Sequence, residues 1–191
     1  MSVRVELSAF SMVGLRSLLG GKDERTLEEL NGALDKTRLG EKERAQYRDA
    51  LSRAILEGVP FSEMRTEKRA HVLLASYLAR YGQRHRRIDC GIPREILQDF
   101  IQEQGTILRE GKKLLRYLVV GRPFFGQRFG AGKAYGYLLH EETLALRRSL
   151  ERFRGHPKAE EEWIELAEEL SQCLDQGLAQ SKHPDLWISI A

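Results

Sequence analysis

The side chains with the most chemical potential are five histidines (His71, His85, His140, His156 and His183), two cysteines (Cys90 and Cys173) and a glycine-rich stretch that ends on a lysine. A zinc hydrolase needs two imidazoles one helical turn apart, with a carboxylate between them to act as base. His140-Glu141-Glu142 opens that pattern, but position 144 is Leu144, and no second histidine lies at ligand spacing. The cysteines stand alone, so neither a CxxC redox pair nor a cysteine-rich zinc site is expected. Cys173 falls beside Leu170 and Leu174 and reads as packing. Cys90 follows Arg84, Arg86 and Arg87, whose charges would lower a thiol pKa, though a nucleophile also needs a positioned base. Gly130-Ala131-Gly132-Lys133 has the ending of a phosphate-cradling loop. A Walker motif would place glycine at 127 and a hydroxyl residue at 134, where this chain has Gln127 and Ala134. His71, four residues after Glu67, reads as half of a structural pair. No metal site, cofactor site or catalytic constellation is predicted.

Charge is unevenly distributed. Residues 65–136 hold 15 basic and 6 acidic side chains, a net +9, whereas residues 1–64 carry −1 and residues 137–191 carry −5. The densest cationic point is Arg84-His85-Arg86-Arg87. Such a segment steers toward phosphate, nucleic acid or an acidic protein face. The acidic run Glu160-Glu161-Glu162 through Glu168-Glu169 could also lie against it within one molecule.

The elements that must position these groups follow from hydrophobic periodicity. Val3-Arg4-Val5-Glu6-Leu7 alternates like a half-buried strand, and Leu186 to Ile190 is a second β-branched and aromatic run, so the two are expected to pair or share a sheet. Between them nearly everything reads as helix. Ser11 caps a short helix holding Val13, Leu15, Leu18 and Leu19, stopped by Gly20-Gly21. Further helices are predicted over 22–34, over 41–57 up to Gly58 and Pro60, and over 67–81, which has the broadest apolar stripe. Pro93 begins another, carrying Ile96, Leu97, Phe100 and Ile101 and broken at Gly105. Residues 108–120 read as helix, 121–136 as a loop of five glycines with Phe124, Phe125, Phe129 and Tyr135, and 141–153 and 159–180 as long helices parted by Gly155-His156-Pro157.

A chain of 191 residues with few prolines and no long apolar run is expected to fold as one globular domain, 1–191, in the cytoplasm, with no membrane span. The fold class expected is α+β, predominantly helical, with helices packed on a small sheet that includes the N-terminal and C-terminal strands.

Several landmarks carry a resemblance: Leu18-Leu19-Gly20-Gly21-Lys22-Asp23-Glu24, Ala50-Leu51, Ile55-Leu56-Glu57-Gly58-Val59-Pro60, then Glu67, His71, Tyr77 and Tyr81-Gly82, and finally Gly136-Tyr137-Leu138, Glu141 and Asp185-Leu186-Trp187. In these the chain resembles a bacterial domain-of-unknown-function family distantly similar to YfbM-like proteins. The resemblance implies a compact α+β fold in a bacterial cytoplasm. It brings no site residues with it.

Three functions are open at this point. The favoured expectation is a non-enzymatic protein-binding module, such as an immunity protein that neutralises a bacterial toxin, anchored through Arg84, Arg86, Arg87, Phe124, Phe125, Arg128 and Phe129. The second is a small-molecule binder or enzyme holding an anionic ligand near residues 121–136, with His71 or His140 as base. The third is nucleic-acid binding through the basic middle segment, which would weaken steeply with salt.

Overall fold

A computed structural model describes residues 4–59, 87–123 and 134–190. Two compact units are formed, one from residues 1–10, 82–124 and 128–191, the other from residues 11–81 and 125–127.

The first unit is built on a four-stranded antiparallel sheet in the order β2-β1-β4-β3. Its strands are β1 (Arg4–Phe10), β2 (Ile88–Pro93), β3 (Ala134–Leu138) and β4 (Asp185–Ile190). As the alternation at both chain ends predicts, β1 and β4 pair directly, Val5 opposite Ile190 and Phe10 opposite Asp185. The other two strands are not among the predicted elements: residues 88–92 carry no assignment in the sequence, and residues 134–136 are expected to be loop. In β2 the pattern Ile88-Asp89-Cys90-Gly91-Ile92 alternates buried and exposed. Its register with β1 shifts beside Gly91, which takes φ 67° while the Asp89 carboxylate accepts from its N–H at 2.8 Å. β3 begins at Ala134, so the last three residues of the stretch expected to be loop, 134–136, are strand instead.

Among the described residues, five helices pack with this sheet: α4 (Arg94–Glu103), α5 (Gly105–Leu108), α6 (Glu110–Val120), α7 (His140–Arg154) and α8 (Glu161–Leu178). Their apolar faces join one face of the sheet in a single core. Val5, Leu7, Ile88, Cys90, Ile92, Leu138, Leu186 and Ile188 supply the sheet side of it. Phe100 lies at its centre, edge-to-face with Phe153 and stacked on Trp163, at centroid distances of 5.1 and 5.5 Å. On the opposite sheet face, Phe10 meets Tyr137 and Trp187 edge-to-face. The helix begun after Pro93 ends at Glu103, with Gln104 outside helical geometry, so the break expected at Gly105 is present and a short new helix starts there. A second break falls at Arg109, a non-glycine residue at φ 50°, and it separates α5 from α6.

The second unit contains α1 (Met12–Leu18), α2 (Glu24–Asp35) and α3 (Glu41–Ser52), the last continuing into a π-helical turn, Arg53–Glu57. The predicted cap is present, since the Ser11 hydroxyl accepts from the Gly14 N–H at 3.0 Å. Asp23 caps α2 by accepting from the N–H and the hydroxyl of Thr26, and the Thr26 N–H holds its carboxyl below the ordinary aspartate pKa. Gly20 and Gly58 both lie in the left-handed region and face each other so closely that a Cβ on Gly20 would sit 3.2 Å from the Gly58 Cα. Hydrogen bonds from Gly20 N–H to Ala54 O and from Lys22 N–H to Ile55 O fasten this junction. Leu15, Leu30, Leu34, Leu51 and Ile55 are buried, whereas Val13, expected on the apolar side of α1, is 77% exposed.

The predicted helix over 67–81 lies outside the described residues, with Glu67 and His71. Among the described residues no helix is long and apolar enough to cross a membrane.

Candidate functional site

Of the residues expected to anchor a partner, Arg84, Arg86, Phe124, Phe125, Arg128 and Phe129 lie outside the described residues. Arg87 is described, exposed and ion-paired with Glu6 on β1. The acidic helix α8 does lie against arginines, but those of α7: Arg147 pairs with Asp175, and Arg154 pairs with Glu168 at 3.2 Å.

A different group of cations converges where α5 meets the C-terminal half of α7. Thr106, Ile107, Leu108, Arg109, Ser149, Arg152, His156 and Lys158 line a cleft of about 400 Å³. Its floor is a tight helix contact. The buried Ser149 hydroxyl donates to the Leu108 carbonyl at 2.8 Å, and Gly111 at the start of α6 lies so close that a Cβ there would stand 2.2 Å from the Ser149 Oγ. At the rim, the positive φ of Arg109 reflects a backbone conformation that non-glycine residues adopt only when their surroundings impose it. The Arg152 Nε–H donates to the Arg148 carbonyl, and the Lys158 N–H donates to His156 Nδ1 at 3.2 Å. An imidazole that accepts at Nδ1 carries its proton on Nε2, so the free edge of His156 is a donor.

Among the described residues Arg109, Arg152 and Lys158 have no carboxylate partner, and no acidic residue lines the cleft. The polar heads around it are three cations, an imidazole donor and a threonine hydroxyl. Donors of this kind, gathered in a concavity, complement an anion. Beyond Arg152 the surface continues to Arg148 and Glu151.

His140, the base considered for the second functional reading, is held in a separate cluster. Its backbone N–H donates to Asp185 at 2.8 Å, its Nδ1 lies 3.3 Å from the Pro184 carbonyl oxygen, and its Nε2 lies 3.2 Å from His183 Nδ1. Beside it, Glu142 accepts from the Leu139 N–H at 2.9 Å and from Arg122 at 2.6 Å, while the Arg122 guanidinium lies over the rings of Tyr117 and Tyr137. Arg122 is thereby built into the end of the predicted loop. Among the described residues no group of three or more His, Cys, Asp and Glu side chains is placed to hold a metal.

The two cysteines, distant in sequence, meet in the core. Cys90 on β2 and Cys173 on α8 are both 8% exposed, both reduced, and hydrogen-bonded to each other. That bond, with burial, pushes the Cys90 thiol well above the ordinary range and keeps it protonated at neutral pH. The residues of the cleft escaped the sequence reading. The signal available was His156-Pro157-Lys158 directly after a helix ending in Arg152 and Arg154.

Compared with protein-family models, with curated proteins and with solved structures, the chain shows no match.

Proposed function

We propose that this protein binds a small anion-bearing molecule in the cleft between α5 and the C-terminal half of α7. The observation that carries this reading is the convergence of Arg109, Arg152 and Lys158, without carboxylate partners among the described residues, on a concavity also lined by His156 and Thr106. A volume of about 400 Å³ lies within the range used for small ligands. The ligand class is a phosphate- or carboxylate-bearing molecule, whose oxygens accept from the two guanidinium groups in the paired geometry that arginine favours. This keeps the anionic ligand of the sequence reading and moves it from residues 121–136 to the cleft.

Calorimetry with a panel of phosphorylated and carboxylated metabolites tests the proposal, comparing wild type with the Arg109→Glu, Arg152→Glu double variant. Both side chains are exposed, so the double variant should fold normally. At least one ligand class should bind wild type and lose more than about a hundredfold in affinity in the variant, as expected when two charge-assisted hydrogen-bonding groups are reversed. Equal binding by the two proteins across the panel would overturn the reading.

A protein-binding role of the immunity type draws support from a second feature. A wider groove between α4 and α6, about 580 Å³, is lined by Gln98, Asp99, Ile101, Gln102, Lys112, Arg116, Val119 and Val120. Val120 is 58% exposed there, with Ile101 and Val119 beneath it in the lining. Apolar residues edged by charges of both signs suit a protein surface better than a small anion.

A further inference from the structure

The His140–His183 pair, which the anion cleft does not use, has the geometry of a metal-binding edge. The two ring nitrogens face each other at 3.2 Å, with ring planes 89° apart and centroids 4.8 Å apart. Two nitrogens bound to one tetrahedral zinc at ~2.05 Å each stand about 3.3 Å from one another. The spacing of the two nitrogens is therefore what a shared ion would require. The Pro184 carbonyl oxygen faces His140 Nδ1 and can only accept, so the proton of His140 sits on Nδ1 and Nε2 presents a bare lone pair. A carbonyl that fixes the tautomer of a histidine in this way is the usual outer support of a metal ligand. His183 is exposed and lies at φ 59°, in the left-handed region, and its ring meets that of His140. With the metal absent, one proton on His183 Nδ1 fills the space between the nitrogens. With the metal bound, that proton moves to the other ring nitrogen of His183.

We propose that His140 Nε2 and His183 Nδ1 form a two-histidine site for a first-row divalent cation, with zinc as the reference ion and water completing the coordination. Imidazole nitrogens favour this class over calcium or magnesium, which take oxygen ligands. The site joins the start of α7 to the turn before β4. Its Asp185 neighbour accepts from the His140 backbone and so holds the two segments in register.

The test is calorimetric titration of the untagged, chelator-stripped chain with Zn2+, then with Mg2+. Wild type should bind one Zn2+ at this site and show no Mg2+ heat. His183→Asn, which retains a residue tolerant of left-handed backbone, and His140→Gln should each weaken Zn2+ binding at least about tenfold. His156→Ala, in the cleft, should leave it unchanged. No Zn2+ binding by wild type, or equal affinity in wild type and His183→Asn, would overturn the proposal without touching the anion cleft.

Discussion

Arginines one position apart on α7 have opposite surroundings. Arg147 bonds Glu151 one turn along and Asp175 on α8, and Arg154, seven residues later on the same face, bonds Glu168. Arg148 and Arg152, one turn apart on a neighbouring face, pair with no carboxylate among the described residues, and Arg152 lines the cleft. A helix turns by about 100° per residue, enough to send adjacent side chains to different neighbours. The tied face joins two helices and is electrically spent. The open face keeps its charge for something outside the chain. What marks a cation as available is thus the presence or absence of a carboxylate across the helix contact, and the charge of the surrounding sequence says little about it.

This division can be broken at three depths. The deepest is Gly111→Val, which places a branched side chain where a single Cβ would already stand 2.7 Å from the Ser149 Cβ. Parting α6 from α7 should cost about 3 kcal/mol or more in urea denaturation and should weaken both faces together. Unchanged stability would show that this contact is not what seats α7. Ser149→Ala cuts only beneath the cleft. It leaves the buried Leu108 carbonyl without its donor, so a loss of about 1–3 kcal/mol is expected, with anion affinity falling severalfold. Retained affinity would mean that the cleft does not depend on its floor. The smallest effects belong to the tied face. Arg147→Ala and Arg154→Ala break half-exposed pairs worth at most about 1 kcal/mol each and should leave anion affinity as in wild type. If either one weakened anion binding, the distinction between tied and open arginines would collapse.

The same distinction explains which parts of the molecule were legible in the sequence. Local chemistry was readable: the Ser11 cap, the turn at Gly20, the stop at Gly58, and the long helices around the Gly155-His156-Pro157 breaker depend on nearest neighbours. The outer strands were harder. Ile88-Asp89-Cys90-Gly91-Ile92 does alternate, but Gly91 and Pro93 look like punctuation until the register shift against β1 gives the glycine a purpose. The start of Ala134-Tyr135-Gly136-Tyr137-Leu138 merges with the glycine-rich stretch that ends at Gly136. Yet Gly136 is a strand residue, and a Cβ there would stand 2.9 Å from the backbone nitrogen of Arg122. The cleft was hidden for a different reason. Arg109 belongs to the segment of net charge +9, but Arg152 and Lys158 belong to the one of net charge −5. Counting by segment pointed to Arg84–Arg87 and away from α7, because many of the acids responsible for that −5 lie along α8, two of them bound to arginines of the tied face. The approach of His140 to His183, and of Cys90 to Cys173, arises only when β4 and α8 pack, and no spacing along the chain encodes it.

The strand order also sets a timetable for synthesis. As the chain leaves the ribosome, β1 emerges first and can pair with β2, but its other edge stays open, and β3 emerges with no neighbour at all. Both wait for β4, the last of these four in chain order, which must slot between them. Closure so long deferred is entropically expensive and slow. A nascent chain stalled short of β4 would therefore leave bare the two strand edges that β4 covers, one on β1 and one on β3, a template for aggregation that β4 removes.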